Sequence, residues 1–379
     1  MLKKKKFLFL GLLLLAPLLL LVEKSSIRGI SIISSPSKNL YLLETVFRYV
    51  KNDYIEEMDP LKTVEGSFKG LVNSLDSCSG YLDKENTARY LEQKEGLYKE
   101  PGLILFKKYG SFPIVVGLIE NSPAEKAGLM LGDVVTEVNH LSTPPISLAE
   151  VNLYIRSKGE ELLDLKILRE DKTLEIKIKR TSLLTEPLTY SPLEGTSGIL
   201  RISRLAPPCL TTLKTKFLPT LSQKKKTLVL DMRTCQEGTF EEARQLVNFF
   251  LKAESIGYLD KKGEKSEVFS SLEEPALPDI PLVVWVSQAT LGPAEVVAAV
   301  LKKNNRAKIV GLPTLGLAAK NEFFMLKDGT SVLLTSAIFC LDSGVKLWGQ
   351  GVEPDIQVDA KDLSSDSYIR KSQGLMTAP

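Results

Sequence analysis

Residues 281–303 read P-L-V-V-W-V-S-Q-A-T-L-G-P-A-E-V-V-A-A-V-L-K-K. The run Pro281–Val286 is apolar throughout and rich in valine, which predicts a strand covered on both faces. A helix is predicted over Ala294–Lys303, with Pro293 suited to its first turn and Gly292 marking the passage from strand to helix. The alternation continues in both directions. Strands are predicted over Gly198–Ser203, Thr227–Arg233, Ala307–Gly311 and Ser331–Phe339, and a helix over Phe240–Leu251. Apolar strands alternating with helices predict an α/β layer over residues 181–358.

Working toward the N-terminus, residues 99–180 carry short β-rich runs at Leu103–Phe106, Ile114–Ile119, Val134–Val138, Leu163–Leu168 and Leu174–Ile178. Among them S-P-A-E-K-A-G-L-M-L-G-D (Ser122–Asp133) reads as a one-turn helix, a glycine stop and a turn into a strand. The pattern resembles a PDZ domain of the bacterial-protease kind. Such domains take a peptide tail as an added strand and hold its carboxylate in a loop of backbone N–H groups. The resemblance places that loop in E-P-G-L-I-L, Glu100–Leu105, with Gly102, Leu103, Ile104 and Leu105 as peptide-binding residues. Ile104 stands where the usual pattern has a second glycine, and a β-branched residue resists positive φ. The plain alternative makes Leu103 and Leu105 core strand residues.

Residues 40–98 read as helices, with Leu43, Val46, Phe47 and Val50, then Val64, Phe68, Leu71 and Leu75, at helical spacing. Pro60 opens the second helix, and L-D-S-C-S-G-Y-L (Leu75–Leu82) interrupts the block with turn residues. A Ser-rich linker, Ser25–Lys38, precedes it. The polar residues 359–379 read as a loose tail. At the N-terminus, Lys3–Lys6 precede the apolar stretch Phe7–Val22, so residues 1–23 read as a secretion signal or a membrane anchor. The stretch is short against the roughly 20 residues of a bilayer span. No small-x-small cleavage site follows it, and both readings stand. Lysines on its N-terminal side predict export of the bulk of the chain to the periplasm or another extracytoplasmic space.

The chain of 379 residues has one histidine, His140, which speaks against a Ser-His-Asp triad and any His-based metal site. Its four cysteines, Cys78, Cys209, Cys235 and Cys340, match no zinc spacing; oxidised, they would allow three pairings. A net charge of +3 gives no footprint for nucleic acid. No cofactor or metal is implied.

The order of helical segment, PDZ-like unit and α/β unit, together with five motifs, resembles C-terminal processing peptidases, the tail-specific, PDZ-containing serine peptidases. L-D-S-C-S-G-Y-L is similar to that family's L-D-P-H-S-x-Y-L. L-V-L-D-M-R-T-C-Q-E-G (Leu228–Gly238) is similar to L-D-L-R-x-N-P-G-G, and N-R-A-K-I-V-G-L-P-T-L-G (Asn305–Gly316) to R-A-x-V-V-G-x-x-T-F-G. D-G-T-S-V-L-L-T-S-A (Asp328–Ala337) and G-Q-G-V-E-P-D-I (Gly349–Ile356) are similar to its closing strand and to G-x-G-I-x-P-D. The resemblance implies a ClpP/crotonase-like α/β core with an inserted β-rich PDZ domain and an N-terminal helical segment.

Cleavage by a Ser-Lys pair needs an attacking hydroxyl, a lysine held neutral as base, and preorganised N–H donors worth roughly 3–4 kcal/mol each in the transition state. Against the family strip S-A-S-A-S-E, with Glu295 on its glutamate, the nucleophile position falls on Gly292 and the base position on Leu317. The residue lending an oxyanion N–H is Pro293, which has none. The second donor belongs to a glycine pair that here reads Glu237-Gly238, with Gly238 at the oxyanion position. The resemblance therefore implies an exported, catalytically inactive homologue that binds peptide or protein C-terminal tails, or an active homologous peptidase, and touches the membrane through Phe7–Val22. The alternative is an active serine-type, Cys or Thr endopeptidase whose chemistry has moved to Ser287, Thr290, Cys235 or Lys320.

Overall fold

The computed structural model describes residues 36–96, 98–159, 162–182, 186–196, 198–222 and 226–376. The expected signal or anchor lies outside them. Among the described residues, no helix is long and apolar enough to cross a membrane.

The first helix, α1 (Pro36–Asp53), starts inside the expected linker, with Pro36 at the first helical position. Proline is preorganised for that position, since its fixed φ is helical and its missing N–H would have no partner there. α2 (Pro60–Asn73) follows. Residues up to Val64 form a unit of their own, apart from Glu65 onward.

Next come β1 (Gly80–Leu82), where only turns were expected, and α3 (Lys84–Lys94). A five-strand path then runs through β2 (Leu103–Phe106), β3 (Ile114–Leu118), β4 (Val134–Val138), β6 (Leu162–Arg169) and β7 (Lys172–Lys179), antiparallel throughout, with β5 (Leu141–Ser142) paired to β4. The one-turn α4 (Pro123–Lys126) is capped by Ser122, and α5 (Leu148–Ile155) by a Ser147–Glu150 capping box. Leu103, Leu105, Val135, Val151, Leu163 and Ile167 fill this unit's own core.

The second half is built on a six-stranded sheet. Its strands are β8 (Leu188–Ser191), β9 (Gly198–Ile202), β10 (Leu228–Asp231), β13 (Leu282–Val286), β14 (Lys308–Gly311) and β17 (Ile356–Gln357), side by side in that order. All are parallel except β8 at the edge. Between β9 and β10 lie α6 (Pro207–Thr212), a π-helical turn (Leu213–Phe217) and α7 (Leu218–Leu221). α8 (Phe240–Asn248) and α9 (Pro293–Lys303) pack on one face, where Leu228, Leu230, Val284 and Val286 join the largest core. A second sheet joins β1, β16 (Ser331–Leu341), β11 (Ala253–Lys261) and β12 (Glu264–Ser271), with β15 (Ala319–Met325) also on β16. The β11–β12 hairpin turns at Lys262-Gly263, both with positive φ.

The opposite face of the parallel sheet corrects the reading of residues 359–379. Ser365–Met376 form α10, and Tyr368 and Met376 pack with Val229, Val283 and Trp285. Trp285 Nε1 donates to Ser372 Oγ (2.9 Å), and Tyr368 donates to the Val286 carbonyl (2.8 Å). The apolar stripe was hidden because its middle position, between Tyr368 and Met376, is a serine.

Candidate functional site

Gly292 joins the loop after β13 to α9 with φ 58° and ψ −119°, a conformation that glycine accepts without the cost a side chain would incur. A Cβ built on it would have one neighbour within 4 Å, the Leu317 carbonyl oxygen at 3.7 Å. The two strips singled out in the sequence thus face each other. Pro293 occupies the first turn of α9 and offers no N–H.

Glu295 holds the strips together. Its fully buried carboxylate accepts from Gly292 N (2.9 Å), Leu317 N (2.7 Å), Gly316 N (2.6 Å) and Thr314 Oγ1 (2.6 Å). Burial pushes its pKa up, and these four donors oppose that shift. The sequence aligned Glu295 but gave it no task; a carboxylate three residues after a helix start is the signal for reaching back to a cap.

Gly238 lies beside Leu205, against whose Cβ a side chain would collide at 2.4 Å. Its neighbour Glu237 is held by Arg156 (2.7 Å) and Arg204 (3.0 Å). Arg156 also pairs with Glu100 (3.3 Å), whose pKa burial raises against the pull of that arginine. Sequence reasoning missed Arg156; it lies at the end of α5, far along the chain from Glu237.

The displaced nucleophiles considered above serve structure. Ser287 donates to the Arg233 carbonyl (2.6 Å) and Thr290 to the Met232 carbonyl (2.9 Å). Cys235 is fully buried, and burial drives its thiol pKa far up. Lys320 is exposed and lies 3.5 Å from Glu267. His140 sits in the β4–β5 turn beside Asp164 (3.7 Å). All four cysteines are free. Among the described residues no cluster of acids, histidines and cysteines could hold a metal.

The residues expected to bind peptide are all buried here. Gly102 (φ 83°) accepts the Ile119 N–H at 2.8 Å, and Leu103 and Leu105 point into their own unit. Ile104 packs with Phe106 and Val116 against Ala289, Leu291 and Leu315. The outer face of the β2–β3 pair therefore covers the residues that flank Gly292 and Leu317. Beside this contact, a cleft of about 820 Å³ is lined by Glu120, Arg201, Asp231, Arg233 and Ser365. Asp231 accepts from Arg233 Nε (2.8 Å) and Arg201 Nε (3.0 Å). Burial opposes its ionisation, but the hydrogen bonds from Arg233 and the charges of both arginines hold its pKa below the usual range.

Residues 197–358 match peptidase family S41, and residues 114–169 match the PDZ domain. The chain carries an S41 peptidase domain and a PDZ domain. A probable CtpA-like serine protease of Staphylococcus aureus strain N315 is 28% identical over 337 residues, which are 87% of this chain and 67% of that protein. One from Staphylococcus epidermidis is 27% identical over 334 residues, 87% of this chain and 68% of that one. Among solved structures, a photosystem II D1 C-terminal processing protease superposes with a TM-score of 0.71 at 20% identity, over 89% of this chain and 97% of its own. At that identity the likeness establishes the fold alone.

Proposed function

We propose that this S41 homologue is exported, tethered to the membrane by Phe7–Val22, and without peptidase activity, and that it acts by binding peptide tails or a partner protein, an active homologous peptidase among them. One observation carries the reading: at the turn into α9, a glycine with no attacking atom faces a leucine, and the next residue has no N–H. Gly292, Leu317 and Pro293 are the positions where the family keeps nucleophile, base and oxyanion donor. Binding needs none of these groups, because strand addition uses backbone hydrogen bonds and apolar pockets.

The test is incubation of the detergent-solubilised full chain with unstructured peptides and with fluorophosphonate and thiol-reactive probes. Neither cleavage nor single-site labelling is expected. Cleavage that disappears on Cys235→Ala or Thr290→Ala would overturn the reading. Tail binding is measured by calorimetry with apolar-ended peptides, comparing the wild type with Ile104→Asp; equal affinity would remove the PDZ groove from the proposal. An alkaline phosphatase fusion at the C-terminus reports export, and an inactive fusion would refute it.

A further inference from the structure

We propose that α1 lies on the lipid surface, with its apolar half in the bilayer interface. Leu40, Leu42, Leu43, Val46 and Tyr49 are each more than half exposed. At about 100° per residue they fall on one half of the helix circumference. Glu44, Thr45, Arg48 and Lys51 fall on the other half, where Arg48 donates to Thr45 Oγ1. A coiled-coil seam needs only a narrow stripe, whereas an apolar half-cylinder with a polar back matches the flat boundary between headgroups and acyl chains. Tyr49, at the edge of the apolar half, is an amphipathic ring of the kind enriched at that boundary, while Tyr41 falls on the polar half.

The chain before the helix names the occupant. The apolar stretch ends at Val22, and 13 residues separate it from Pro36. Fully extended, they span at most about 45 Å. A tether at Phe7–Val22 therefore keeps α1 at high effective concentration against the same surface, so even weak interfacial affinity suffices. The inference rests on that proposed tether.

The experiment uses full-length chain reconstituted into vesicles of phosphatidylcholine and phosphatidylglycerol, with or without brominated acyl chains. Leu43→Trp and Arg48→Trp place an indole on the two halves of α1, and the wild type supplies the background of Trp285 and Trp348. Flotation with the vesicles checks the tether. Several-fold stronger quenching of the residue 43 indole than of the residue 48 indole is expected. Flotation with equal, weak quenching at both positions overturns the interfacial helix and leaves the tether standing. Failure to float overturns both, and flotation identifies the tether as the failed step. Quenching absent at residue 43 together with chemical crosslinking between copies through α1 overturns the proposal in favour of a second chain.

Discussion

At Gly292 a serine side chain would find room beside the Leu317 carbonyl, so space does not forbid a hydroxyl there. Placing a side chain at φ 58°, ψ −119° costs on the order of 1–3 kcal/mol, which urea denaturation of Gly292→Ser will read. On the proposed function, the double variant Gly292→Ser/Leu317→Lys is expected to show no detectable peptidase activity. Pro293 still offers no N–H, and Glu237 adds negative charge near the developing oxyanion. Adding Pro293→Ala, which regains one N–H donor, should raise the rate by about 10²–10³, and Glu237→Gly should raise it further by removing the negative charge, both measured on a fluorogenic unstructured peptide. Glu295 is the residue on which the local geometry depends. Glu295→Ala leaves three N–H groups and one hydroxyl buried without their acceptor, and is expected to cost roughly 3–5 kcal/mol by denaturation. Glu295→Gln, which keeps an acceptor oxygen, should cost less.

Among the elements, α10 supports the sheet from the face opposite α9. Tyr368→Ala is expected to destabilise by about 3–5 kcal/mol, with a red shift of Trp285 emission as its covering ring is lost. The same helix shows where the sequence stops being informative. β13 and α9 were legible because one is an unbroken apolar run and the other begins with proline, features that are local. α10 was not, because Ser372 interrupts its stripe, and its burial is decided by Trp285 on a strand far back in the chain. The β11–β12 hairpin went unread for a related reason: Glu264–Ser271 has its side chains mostly in solvent and no apolar alternation. The site divides in the same way. The closeness of Gly292 to the strip around Leu317 could be anticipated from the order of the motifs. The bonds among Arg156, Glu100 and Glu237 could not, since only the tertiary fold brings α5 to the loop after β10. For the peptide loop, the plain alternative describes Leu103 and Leu105, while Ile104 found a partner in the S41 domain.

On the scale of the whole molecule, the PDZ and S41 domains are joined by charge as well as by apolar contact. Arg156→Ala removes the partner of Glu100 and one of the two arginine partners of Glu237. It is expected to cost about 2–3 kcal/mol after discounting for partial exposure, and to speed amide hydrogen exchange at Ala289 and Leu291 beneath the PDZ domain. Asp231 sits where the S41 sheet, α10 and, through Arg201 and Glu120, the PDZ domain meet. Its folded pKa is depressed below 3.8, so its stabilisation is present above that pH and is lost as pH falls through the depressed value. Acid titration of stability should show this loss in the wild type and a flatter profile in Asp231→Asn. α10 also sets the order of events during synthesis. The ring and indole that seal the rear of the parallel sheet are about eighty residues apart in the chain. A nascent polypeptide must therefore carry that valine-rich surface uncovered until α10 emerges, which makes the sealing of that face a later step than the pairing of the strands.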